Sequence, residues 1–138
     1  MSYDDIQSAT VVQYPYLWHR EAERGELEGR KDRPVAVGVR IPQPDGVDLL
    51  LLFPITSKQP AASQFAAEIP ETEKRRAGLS TDIRLWIILE EFNGDRVGRS
   101  YYLKPAAVLG RFSKAFFLPL MKQVIARRSR LAAVDRGS

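Results

Sequence analysis

The unbroken apolar run over residues 49–55, Leu-Leu-Leu-Leu-Phe-Pro-Ile, constrains this chain more than any other feature. It has the length of a strand and falls far short of the roughly 20 residues a membrane-spanning helix needs. Consecutive apolar side chains point to both faces of a strand, so the run predicts a central strand covered on both sides. Thr56 and Ser57 follow it directly. A second segment has the reverse order: Arg33-Pro34 leads into Val35-Ala36-Val37-Gly38-Val39. If the two strands lie close in one small sheet, a guanidinium and a hydroxyl converge on one anion. That is a route to phosphate chemistry for a chain with one histidine and no cysteine.

At 138 residues a single domain is expected, over residues 10–132, between a loose segment 1–9 and a loose tail 133–138. The absence of cysteine excludes disulfides and thiolate metal sites. One histidine leaves a zinc site dependent on carboxylates, so no metal and no cofactor is expected. The acidic start Met1-Ser2-Tyr3-Asp4-Asp5 lacks the pattern of a signal peptide, and no membrane association is expected; the cytoplasm is the expected compartment. Charge is uneven. Residues 104–138 hold eight Lys/Arg and one acid, Asp135. Such a basic third attracts polyanions, although a solvated helix face with a basic tail has the same composition.

Along the chain, residues 10–18 read as an edge or bulged strand containing Pro15. The densely charged stretch 19–32 reads as a long exposed loop. Residues 34–41 and 48–55 are strands joined by Pro42-Gln43-Pro44-Asp45-Gly46, which is turn chemistry. Residues 65–69 suit a short strand. Residues 70–77 suit a short helix, with Pro70 and acids at its start, Lys74-Arg75-Arg76 at its end and Gly78 beyond. Residues 83–92 alternate as a central strand. Asn93-Gly94 then predicts a hairpin turn into a returning strand near 99–103. From Pro119 the period becomes helical, with Leu120, Met121, Val124, Ile125 and Leu131 on one face. The class is therefore mostly β with minor α: five to seven strands in a small barrel or strongly coiled sheet, a short helix near 71–77 and a C-terminal amphipathic helix.

Taken in order, Arg33-Pro34, the strand 35–39, Pro54-Ile55-Thr56-Ser57, Ile87-Ile88-Leu89-Glu90 and the terminal amphipathic helix resemble the PemK/MazF-type toxins. The resemblance implies an SH3-like β-barrel that pairs as a homodimer. It implies metal-independent, sequence-selective cleavage of single-stranded RNA. It also implies an antitoxin partner whose disordered acidic segment covers the RNA groove. The family's arginine before proline maps onto Arg33 and its threonine onto Thr56. Its loop acid maps onto Glu28, or onto Glu26 if two residues are inserted. Lys31 stands where the family has glycine, and Leu27 where some members have histidine.

In that chemistry the RNA supplies its 2′-hydroxyl as nucleophile, and the protein orients it, takes its proton and stabilises the phosphorane. Arg33 suits phosphate binding and Thr56 a hydroxyl hydrogen bond; a surface ion pair and a strand-end turn are their plain structural roles. Ser57, Lys58, Arg30 and Lys31 are further candidate RNA contacts. Glu28, Glu26 and Glu90 are candidate general bases, each also readable as an ordinary carboxylate, Glu90 as one bonded to a loop backbone. His19 reads as an ordinary loop residue, of a type that can serve acid–base chemistry. Tyr14, Tyr16 and Trp18 either stack on bases or fill the core. Fold alone does not separate a nuclease from a toxin similar to the CcdB family, which binds gyrase, or from a barrel that binds RNA without cutting it.

Overall fold

In the computed structural model, which describes residues 3–26, 31–98, 102–104 and 107–136, eight strands form one sheet. They are β1 (Thr10–Tyr14), β2 (Arg33–Ile41), β3 (Leu49–Thr56), β4 (Ala66–Glu68), β5 (Trp86–Ile88), β6 (Glu91–Arg96), β7 (Val108–Arg111) and β8 (Ala132–Asp135). Among the described residues the α-helices are α1 (His19–Glu23), α2 (Glu71–Arg76) and α3 (Lys114–Ala126). None of the described helices is long and apolar enough to cross a membrane. The mostly β class read from the sequence is the class observed.

The run 49–55 becomes β3, and both its edges are paired. β2 occupies one edge; β6 along Leu49–Leu52 and β5 at Ile55–Thr56 share the other. Its side chains feed two cores. Leu50 and Leu52 join Val12, Tyr14, Val35 and Val37 on one face. Phe53 and Ile55 join Val11, Ala36 and the α3 residues Phe117, Leu120, Met121 and Val124 on the other. Each fully buried Leu or Phe contributes about 1.5–3 kcal/mol, so β3 is the energetic axis of the fold. The β2–β3 ladder slips at Gly38. A Cβ there would fall 2.4 Å from the Phe53 ring.

The sheet path runs β4-β5-β3-β2-β1-β7, with β6 and β8 branching from β3. It does not close. The SH3-like barrel implied by the resemblance gives way to an open, branched sheet, because the chain just after α2 lies against β7. A Cβ at Gly78 would sit 2.3 Å from the Leu109 carbonyl oxygen, and one at Gly110 2.5 Å from the Ala77 carbonyl carbon.

Several local expectations are corrected by tertiary contacts. Asn93 and Gly94 lie inside β6, not in a turn. The Asn93 side chain accepts from Leu17 N at 2.9 Å and donates to Leu17 O at 2.7 Å, and this buried clamp outweighs the turn preference. The turn comes at Val97 and Gly98, with φ +79° at the glycine. Of the expected returning strand, residues 99–101 lie outside the described residues, and 102–104 are irregular. The single strand expected over 83–92 is β5 and the start of β6, separated at Leu89 and Glu90. The charged loop contains α1. Segment 1–9 is not loose over its described part. Ile6 is fully buried, and Arg40 Nη1 donates to the Tyr3 and Ile6 carbonyls. The tail is not loose over 133–135 either, where β8 runs parallel to β6 and buries Val134. α3 begins at Lys114, five residues before Pro119, because the Ser113 hydroxyl caps it by accepting from Phe116 N. Pro119 therefore lies inside the helix, Ile125 is exposed, and Leu131 falls beyond it.

Two buried phenols tie β1 and its extension to β6. Tyr14 donates to Asp95 Oδ2 and Tyr16 to Glu91 Oε1. Burial first, then the neighbouring carboxylate, pushes both phenols far above the ordinary tyrosine range. Their folded pKa values lie above the unfolded value. Their stabilisation is therefore full below about pH 10 and is lost as pH rises above it. Together they are expected to tilt stability downward by about 3 kcal/mol per pH unit in that window. Urea unfolding at stepped alkaline pH checks this, and Tyr16→Phe is expected to halve the slope; an unchanged slope refutes the assignment.

Candidate functional site

β2 starts at Arg33 and β3 ends at Thr56. In their antiparallel register Val35 faces Pro54. Continued to the strand ends, that register sets Arg33 across from Thr56, where opposed side chains share a face. Two clefts meet at this point. The first, about 390 Å³, is walled by Ile55, Leu79, Ile83, Leu85 and Leu109, and Asp32 also lines it. The second, about 320 Å³, is lined by Trp18, Arg20, Lys58, Gln59, Pro60 and Gln64. Arg33, Lys31, Thr56 and Ser57 line both. The convergence inferred from the two sequence segments is present.

Arg33 is half-buried, and its guanidinium carbon lies 5.1 Å from the centre of the Trp18 ring. Its Nε is buried with no hydrogen-bond partner among the described residues. Burial lowers its proton affinity, the Glu21 carboxylate opposes that, and the Arg20 guanidinium adds to it. Arginine nonetheless stays charged at neutral pH. Thr56 Oγ1 accepts from Lys58 N at 3.1 Å, the strand-end turn foreseen as its structural role. That bond uses the oxygen as acceptor and leaves the hydroxyl proton available to donate into the clefts.

Trp18 is held from several sides. Its ring packs edge-on to Tyr16 with centroids 5.1 Å apart. Its backbone N–H donates to Glu21 Oε1 at 3.1 Å, which fixes the entry to α1. Arg20 approaches the same ring at 4.9 Å. Tyr14 and Tyr16 are core residues and do not offer faces for base stacking.

The remaining sequence candidates divide clearly. Ser57, Lys58 and Lys31 are exposed at the clefts. Glu28 and Arg30 lie outside the described residues. Glu26 pairs with Arg24 at 3.0 Å. Glu90 accepts from Phe65 N at 3.1 Å, the loop-backbone bond weighed for it. His19 lies 3.4 Å from Glu23 and lines neither cleft. Sequence reasoning missed Arg20, Glu21 and Asp32 as site residues. Glu21 three residues after Trp18 was the available signal of a helix start, hidden by the charge density around it.

No family model matches the chain, and no curated protein matches it. Fold and site together define a small β-rich domain with a cationic double cleft at one pair of strand ends.

Proposed function

We propose that this chain is a metal-independent endoribonuclease that cuts single-stranded RNA with sequence preference. It acts in the cytoplasm as the toxin of a toxin–antitoxin pair, as a homodimer. The resemblance of the Arg33-Pro34 and Pro54-Ile55-Thr56-Ser57 segments to PemK/MazF-type toxins supports the biological role. The observation that carries the chemistry is the half-buried Arg33 guanidinium, whose Nε has no partner among the described residues, lining the same two clefts as Thr56.

In this reading Arg33 and Thr56 donate to the phosphate oxygens. The 2′-oxygen attacks phosphorus, its proton passes to a base, and the 5′-oxygen leaves and gains a proton. The products are a 2′,3′-cyclic phosphate and a 5′-hydroxyl. Asp32 is the one carboxylate of the described residues that lines either cleft, and we assign it the proton-accepting role.

The test is incubation of purified protein with RNA in excess EDTA, followed by end-group analysis of the fragments. Cyclic-phosphate ends are expected. Thr56→Val and Asp32→Asn are expected to slow cutting, the latter by about 10²-fold or more. Binding without fragments refutes catalysis, and absence of binding refutes RNA as the ligand.

A further inference from the structure

We propose that the second cleft receives a second phosphate of the RNA strand, adjacent to the one held at Arg33 and Thr56, and that Arg20 is its receptor. The inference rests on the nuclease reading and specifies how that site engages its substrate.

The charge distribution carries it. Arg20, Lys31, Arg33 and Lys58 all line the second cleft, and no carboxylate of the described residues does. Arg20 and Arg33 lie 4.9 and 5.1 Å from the same Trp18 ring. Among the described residues neither forms an ion pair. At Arg33 the Arg20 charge is unfavourable and the Glu21 carboxylate offsets it, so the larger cost left on Arg33 is its burial. Two linked anionic groups, as consecutive phosphodiesters are, give each of these guanidinium groups a counter-charge.

Trp18 makes the spacing durable. Tyr16 supports its ring and Glu21 its backbone, so the two cations share a fixed aromatic mount. The first cleft differs in kind. Away from the Lys31 and Arg33 it shares with the second cleft, it is walled by aliphatic side chains, the hydroxyls of Thr56, Ser57 and Ser80, and the Asp32 carboxylate, a lining that suits a base better than a phosphate. The strand then places a base in the first cleft, the scissile phosphate at the junction and the next phosphate over Arg20.

Salt-dependent binding of a short random-sequence RNA with 2′-O-methyl sugars, which cannot be cut, tests the proposal. Each phosphate of a single strand that is no longer neutralised by a protein cation lowers the slope of log affinity against log salt by about 0.7. Arg20→Ala and Arg33→Ala are each expected to lower it by about 0.7, and the double variant by about 1.4. Arg20 is exposed, so folding should be unaffected; Arg20→Gln, which keeps the stem, is expected to repeat the result. An unchanged slope in Arg20→Ala overturns the proposal. So does a double variant equal to Arg33→Ala alone, which means both arginines grip one phosphate. If wild-type protein still cuts RNA in EDTA, either outcome sinks only the second phosphate site. Failure of wild type to bind RNA at all sinks this proposal and the nuclease reading together.

Discussion

Arg33→Ala is expected, on the proposed nuclease reading, to lower the single-turnover rate of RNA cleavage by about 10²–10³-fold, the usual effect of removing one donor that meets charge developing in a transition state. The same substitution should leave stability nearly unchanged. Among the described residues Arg33 makes no ion pair and its Nε has no partner, so truncation breaks no hydrogen bond of that Nε to them. What is lost is its stacking on Trp18, worth about 0.5–1 kcal/mol at a partly exposed site. What is gained is relief from burying an unsatisfied donor. A residue retained for the fold behaves in the opposite way. Arg33→Lys keeps the charge but not the planar fork and is expected to recover only part of the rate. Thermal unfolding alongside the kinetics decides the matter. A large loss of melting temperature with little loss of rate refutes the assignment.

Gly78→Ala is expected to destabilise the protein by about 2–5 kcal/mol, a large share of the roughly 5–15 kcal/mol that holds a domain together. Two effects add. The residue has φ +74°, a left-handed conformation that costs an L-residue about 1–2 kcal/mol. The new Cβ would also meet the Leu109 carbonyl oxygen at 2.3 Å, and backbone cannot turn aside as a side chain can. Gly78 and Leu109 both line the first cleft, so relief of the clash must shift that wall. Urea unfolding measures the effect. Gly46→Ala is a useful contrast, because its φ is +82° but nothing lies within 4 Å of its Cβ. It should show the conformational penalty alone. Equal losses at the two positions refute the clash.

Much of the site was legible because it lies on local pattern. A strand that begins with Arg-Pro and a strand that ends with Thr-Ser each place a polar group at a sheet margin. If the strands pair antiparallel, those margins coincide. The short helix α2 and its glycine stop were legible for the same reason: acids first, bases last, Gly78 just beyond. The errors share one cause. Asn93-Gly94 favours a turn in isolation, yet the buried amide of Asn93 holds the Leu17 backbone from 76 residues away in sequence. The final residues look like a polar tail until β6 presents an edge for them to join.

The amino-acid sequence by itself determined which segments are strands buried on both faces and which residue types stand at their ends, because alternation and apolar runs act over a few neighbouring positions. Tertiary structure alone decided that the sheet stays open, that β8 closes onto β6, and that Arg20 joins Arg33 on one indole ring. Those outcomes depend on contacts between segments distant along the chain, and the backbone and side-chain geometry that selects among them exists only once the sheet is assembled.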